Sequence, residues 1–281
     1  MHLLTRSFSV VALIATFAIP VSANFINTPY ELNTPGANKT LKLPAAADNS
    51  PVISLGSAVD PQSGEVVEGY AIVHHKNQAV RANASTKGGP TCYGYMARDA
   101  KWKSVEPWVV NAVNTRVLAS DFVLANLSSD ISKWEDASDG VVGNASGSNF
   151  LGDGSLTSDA LLADTASPDA VNEVYFADIE DSSAIAVTIV WGVFGGPPSG
   201  RKLVEWDQVY DDVTYDWSST GEAGKMDFEN IATHELGHSA GLGDIYDISC
   251  AEVTMYGYAT EGETSKRDLA TADVTGINKL Y

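Results

Sequence analysis

Basic residues are scarce in this chain of 281 residues: Lys and Arg number 17 against 36 Asp and Glu, a formal charge of -19. Nucleic acid and anionic membrane surfaces are held through Lys and Arg, so neither is an expected partner. Long apolar runs are scarce too. The clearest, Phe8–Pro20, is too short to cross a bilayer at about 1.5 Å per residue. Cysteine is limited to two and histidine to five, and no internal repeat argues for a solenoid. What is present is 44% hydrophobic residues, six of them Trp, enough for a core and too many for bulk disorder.

The shortage of bases is uneven. Residues 24–90 balance five acids with five bases, whereas residues 91–281 carry 31 acids against 11 bases, net -20. A neutral front and an acidic back predict two parts with different roles. Residues 1–23 read as a secretory signal peptide: Arg6, then the apolar run, then small residues at Val21-Ser22-Ala23. Residues 24–90 read as a pro-segment or N-terminal accessory region, with strand-like runs at Val52–Leu55 and Glu68–Val73. The stretch Lys87-Gly88-Gly89-Pro90 reads as a linker. Export makes a Cys92–Cys250 disulfide the default pairing, since an oxidising compartment joins an even pair of thiols.

Residues 91–281 mix element types, which predicts an α+β class. Trp108–Val113, Glu173–Ile179, Ala184–Trp191 and Leu203–Tyr210 read as strands. Ser120–Trp134 has helical spacing behind a Ser120 cap, and Thr271 caps a closing helix through Tyr281. Met226–Ala240 reads as a helix capped by Asp227 and stopped by Gly241.

That helix carries the informative string, His234-Glu235-Leu236-Gly237-His238-Ser239-Ala240-Gly241-Leu242-Gly243-Asp244. Two histidines four apart share a helix face, so both imidazoles reach one zinc ion at about 2.0–2.1 Å. Glu235 points roughly 100° away around the helix, placed to act on water. Gly241 permits a left-handed turn, after which Asp244 closes the metal site. His2 falls in the signal, and His74 and His75 fall in the presumed pro-segment. The catalytic part then has no third histidine, so the third ligand is a carboxylate, or a cysteine if the disulfide is absent: Asp244 is favoured by spacing, with Glu252 as runner-up.

The string resembles the extended zinc signature of the metzincins, with Asp in the place usually held by a third His, as in snapalysin-type enzymes. Cys250–Gly257 (CAEVTMYG) resembles the Met-turn with Met255 as its methionine, and RDLATADVTGINKLY resembles the closing helix of matrixins. The resemblance implies a zincin fold: a twisted, mostly parallel mixed sheet with an active-site helix and a C-terminal helix. It also implies one catalytic Zn2+ on His234, His238 and Asp244, with Glu235 as general base and Met255 as the floor beneath the ligands. Matrixin latency uses a thiol in the pro-segment. Residues 24–89 have none, and Pro90-Thr91-Cys92-Tyr93-Gly94 is a faint echo of that peptide.

The expected function is a secreted zinc endopeptidase made as a zymogen, a monomer acting on peptide or protein substrates. An inert binding protein on the same scaffold and an aminopeptidase-type H-E-x-x-H hydrolase are the alternatives. Tyr256 and Tyr258 are candidate pocket residues. The acidic loops around Asp153 and Asp159, Asp178–Asp181 and Asp211-Asp212 offer oxygen ligands for a structural Ca2+.

Overall fold

A computed structural model describes residues 39–46, 50–76 and 91–281. The signal reading of residues 1–23 and the linker at 87–90 lie outside the described residues. In chain order the strands and helices are β1 (Thr40–Leu41), β2 (Val52–Val59), β3 (Val66–Lys76), β4 (Trp108–Asn111), α1 (Ser120–Asp136), β5 (Gly154–Leu156), β6 (Asn172–Ile179), β7 (Ala184–Val193), β8 (Lys202–Asp211), β9 (Trp217–Ser218), β10 (Met226–Asp227), α2 (Phe228–Ser239), β11 (Tyr258–Ala259) and α3 (Thr271–Leu280). No helix among the described residues is long and apolar enough to cross a membrane.

Nine strands form one mixed sheet in the order β11-β3-β7-β8-β6-β4-β5, with β1 on β6 and β2 on β3. Parallel pairs predominate, while β2, β3, β7 and β8 meet antiparallel. The α+β class expected from the sequence is the observed one. Residues 39–76 supply three of the strands, and β3 is deep in the sheet rather than at its margin. Its eleven residues run well beyond the Glu68–Val73 stretch that β-propensity marks, because Val66 to His75 pair with a neighbour on at least one side.

The central strands are covered on both faces. On one face α1, α2 and α3 bury Val123, Leu127, Trp134, Ile231, Leu236 and Ile277 against Phe176, Trp206 and Tyr210. On the other, Leu161 and Ala163 of the β5–β6 loop join Tyr175, Val187, Trp191 and Val209. Double coverage explains why β7 is a nearly continuous buried run and β8 is buried at most positions although its sequence alternates.

Helix starts differ in detail from the sequence reading. Ser120 and Thr271 are each the first helical residue, with Ala119 and Ala270 at the cap positions and no side-chain cap bond at either. At α3 the capping acceptor comes from within the helix instead: the Asp273 carboxylate accepts from the Ala270 N–H at 2.9 Å. Asp227 does cap α2, accepting from the Asn230 N–H at 3.0 Å. The α1–α2 contact is pinned by Trp134, whose indole N–H donates to the Thr233 carbonyl at 2.8 Å.

Candidate metal centre and active site

Helix α2 places His234, Glu235 and His238 fully inside the molecule. Each imidazole spends its Nδ1 proton on a backbone carbonyl, His234 on Thr254 at 2.7 Å and His238 on Leu242 at 3.0 Å. Both Nε2 atoms therefore turn toward one point, 3.1 Å apart. Gly241, at φ 104, ends the helix in the left-handed region that favours glycine. The reversal brings Asp244 Oδ1 to 3.2 Å from His234 Nε2 and 3.3 Å from His238 Nε2. The other oxygen, Oδ2, accepts from the Tyr246 hydroxyl at 2.6 Å, whereas Oδ1 is buried with no hydrogen-bond partner.

Three acceptor atoms thus converge where neutral imidazoles leave no donor, an arrangement that a cation resolves. Tetrahedral ligands at zinc's usual bond lengths stand about 3.3 Å apart, the spacing seen here. With protons alone the same demand shows as a split. Burial takes His234 down to about 4. Burial would lower His238 too, but Asp244 beside it holds that imidazole up to about 9. Burial would raise Asp244, yet the two histidines keep it well below the usual carboxylate range. One proton does electrostatically what a divalent ion would do better with three lone pairs.

Glu235 leaves this triangle and points at the sheet. Its Oε2 accepts from the Thr188 hydroxyl of β7 at 2.5 Å. Its Oε1 lies 2.9 Å from Nδ1 of His74 on β3. Burial pushes the carboxyl up to about 7. The His74 ring stacks on His234 with centroids 3.9 Å apart, is fully buried, and has no partner for its Nε2. The histidine count made on the sequence leaves His74 out of the site; strand pairing brings it in across 161 residues of chain.

The Met-turn supports the ligands from behind. Met255 is buried against Gly237, so close that a Cβ there would stand 2.2 Å from the Met255 sulfur. Asp273 of α3 accepts from the N–H groups of Thr254 at 2.9 Å and Met255 at 3.3 Å. The Thr254 carbonyl in turn orients His234. Lys266, fully buried, donates to the carbonyls of Tyr256 and Tyr258 at 2.6 and 2.5 Å; burial lowers it to about 8. Those bonds hold β11 beside β3. Tyr258 also packs edge-on to Tyr246, while a cleft of about 330 Å3 next to Asp244 is lined by Tyr70, Ile72, Tyr95, Phe194 and Tyr246. Tyr256 and Tyr258 are not among its lining residues.

Cys92 and Cys250 are joined, their Cα atoms 5.4 Å apart, so the Cys92 thiol is not free to serve as a latency switch. Glu252 is exposed, whereas the Asp244 side chain is 3% exposed and part of the triangle. Among the described residues the acidic loops named for calcium do not gather three ligands. Asp211 instead accepts backbone N–H groups from residues 213–215, and Asp212 accepts from Thr115. Asp164, Glu205 and Asp207 are the carboxylates that do meet. Burial pushes Glu205 up to about 10 and Asp207 well above its usual range.

Tyr246, Thr188, Asp273, Lys266 and His74 carry no local signal. Each acts through a partner that only folding supplies, save Tyr246, whose two-residue offset from Asp244 fits many sequences.

Comparison with known proteins accords with this geometry. The matrixin family model matches residues 113–281. A curated relative, metalloendoproteinase 2-MMP of Arabidopsis thaliana, is 35% identical over 92 residues, which is 30% of this chain and 21% of that protein. The chain therefore spans about a fifth of that relative's length. The matched region holds the α2 histidines, the Asp244 turn and the Met255 turn together, and the chain belongs to the matrixin family of metallopeptidases.

Proposed function

We propose that this chain is a secreted zinc-dependent endopeptidase. The observation that carries the reading is the convergence of His234 Nε2, His238 Nε2 and Asp244 Oδ1 at 3.1–3.3 Å, with no donor among them once both imidazoles are neutral. These three residues would hold the ion. Zinc bound there supplies a Lewis acid that polarises a scissile carbonyl and makes water nucleophilic near neutral pH. Glu235 accepts the proton of the attacking water and returns it to the leaving amine. Thr188 fixes one carboxylate oxygen and so aims the other. Tyr246 holds Asp244 with Oδ1 toward the metal position, and the Thr254 and Leu242 carbonyls fix both imidazole tautomers. Secretion is supported by the Phe8–Pro20 run and by the disulfide.

An assay on an internally quenched, end-blocked peptide tests this directly, because an aminopeptidase cannot use a blocked end. Hydrolysis that a zinc chelator stops is expected. Glu235→Gln should lower the rate at least about 100-fold while zinc content stays unchanged; full activity in that variant would sink the assignment. A second reading, an inert binding scaffold, draws on the engagement of both Glu235 oxygens by His74 and Thr188. It predicts tight peptide binding without turnover in every form of the chain.

A further inference from the structure

Between the sheet and α2 lies a row of polar side chains, in a place where apolar packing alone would close the core. Thr188 of β7 and Gln208 of β8 are register partners, and Tyr210 follows Gln208 on the same face of β8. All three are fully buried. The row is joined end to end. The Tyr210 hydroxyl donates to Gln208 Oε1 at 2.8 Å, and Gln208 Nε2 donates to the Ser239 hydroxyl of α2 at 3.0 Å. Ser239 Oγ lies 3.4 Å from the Glu235 carbonyl one turn back, and Thr188 holds the Glu235 carboxylate at 2.5 Å. The Tyr210 ring is itself fixed, packed on Phe176, Trp217 and Phe228, the last being the first residue of α2.

We propose that Gln208 is a positioning residue of the peptidase: through Ser239 it fixes the rotation of α2 about its own axis, and with it the direction of both metal-binding imidazoles. The proposal rests on the endopeptidase reading and adds to it a residue behind the site.

The sheet grips α2 at Glu235 and Ser239, four residues and one turn apart, so both grips are on one face of the helix. His234 and His238 have the same spacing shifted by one residue, which sets their face about 100° away. A helix held at two points of one face cannot turn without moving the other. Side chains stand roughly 5–6 Å from a helix axis, so a turn of about 10° carries an imidazole by about 1 Å. Displacement on that scale can cost on the order of 100-fold in rate. The imidazoles' own anchors, the carbonyls of Thr254 and Leu242, belong to segments after α2 in the chain. Gln208 refers them to the strands instead. The apolar residues of α2, among them Ile231 and Leu236, supply attraction without direction, whereas hydrogen bonds from fixed strand positions are directional. Stability alone does not call for the row. Apolar side chains of similar shape would fill the same space with no amide or hydroxyl to desolvate.

The test compares the full parent chain with Gln208→Leu/Tyr210→Phe/Ser239→Ala, which removes the partners in the row together and so strands none of them. Such a joint replacement is close to neutral for stability, and the urea midpoint is expected to stay near the parent's. None of the three residues belongs to the metal triangle. Cobalt(II) is bound to each chain in place of zinc, because its visible absorption follows the geometry of its ligands. The variant is expected to show an altered cobalt spectrum and cobalt binding weaker by at least about tenfold. On the end-blocked peptide its kcat should fall at least about tenfold at an unchanged KM. A merely structural role would move the urea midpoint and leave the spectrum and kcat of the folded chain as in the parent; that result overturns the proposal. So does a raised KM with kcat unchanged, which would place Gln208 in peptide binding. Should the triple variant not fold, Ser239→Ala replaces it, deleting one oxygen and cutting the row at the helix. It is expected to alter the cobalt spectrum and lower kcat at least about threefold; parent values overturn the proposal. An altered cobalt spectrum in the variant of a parent that hydrolyses no peptide sinks the endopeptidase reading and leaves the positioning role standing. Hydrolysis by parent and variant at one rate, with one spectrum, does the reverse.

Discussion

At the scale of single residues, the Tyr246 hydroxyl decides which oxygen of Asp244 faces the metal position. It accounts for Oδ2 at 2.6 Å and leaves Oδ1 to the two imidazoles. Removing the hydroxyl should leave the fold intact, since the ring still packs on Tyr258. Tyr246→Phe is therefore expected to bind zinc roughly 10-fold more weakly, the usual effect of losing a partner behind a metal ligand, with an unchanged urea midpoint. Competition against a chromophoric chelator measures the first and circular dichroism the second; unaltered affinity would mean that Asp244 is held by its loop alone. At the same scale, His74 engages Oε1 of Glu235, the carboxylate proposed as general base, and packs its ring on His234.

At the scale of elements, α2 is a scaffold with one face for ligands and one for packing. Gly237 lies between His234 and His238, and the space its side chain would fill is taken by the Met255 sulfur and the Trp134 ring, 2.2 and 2.9 Å from an added Cβ. Gly237→Ala gains helix propensity but forces the Met-turn and α1 apart. Overpacking of this kind costs about 1–3 kcal/mol, so the variant should unfold at lower urea and hold zinc less well. An increase in stability would show that the Met-turn yields freely. The Met-turn has its own anchor in α3, through Asp273, and passes that order to His234 through the Thr254 carbonyl. Three elements that are separate in sequence thus fix one imidazole.

At the scale of the whole molecule, the outer face of the sheet stores protons. Glu205, Asp207 and Glu173 are buried on or beside β6 and β8, and burial raises all three, Glu205 to about 10 and Glu173 to about 7. A carboxyl whose folded value lies above its unfolded one keeps a proton that the unfolded chain releases. Its contribution is fully present below about pH 4.5 and is lost as pH rises toward 10. The slope is about 1.4 kcal/mol per pH unit for each proton retained. Stability is therefore expected to fall between pH 5 and pH 9, and Glu205→Gln should fall less steeply, with the gap between them widening at high pH. Parallel urea midpoints across that range would show that Glu205 is ionised in the folded chain. The charge of -19 acts in the same direction, since self-repulsion grows as the remaining acids ionise.

The candidate metal site was legible in the sequence because it is local. An i,i+4 pair of histidines shares a face in any α-helix, and a glycine that tolerates φ 104 lets the chain double back to a carboxylate three residues later. The α+β class followed from patterning that is equally local, and the disulfide from the compartment that the N-terminal run implies. Tertiary structure decided everything that required pairing between distant segments. Nothing in residues 66–76 says which strand they join, since a half-buried strand satisfies its hydrogen bonds on any complementary edge. The fold lays them between β7 on one side and β2 and β11 on the other, and so brings His74 to Glu235 across 161 residues. Scarcity of bases, read along the sequence, separated a neutral front from an acidic back; in three dimensions the two meet at the active site.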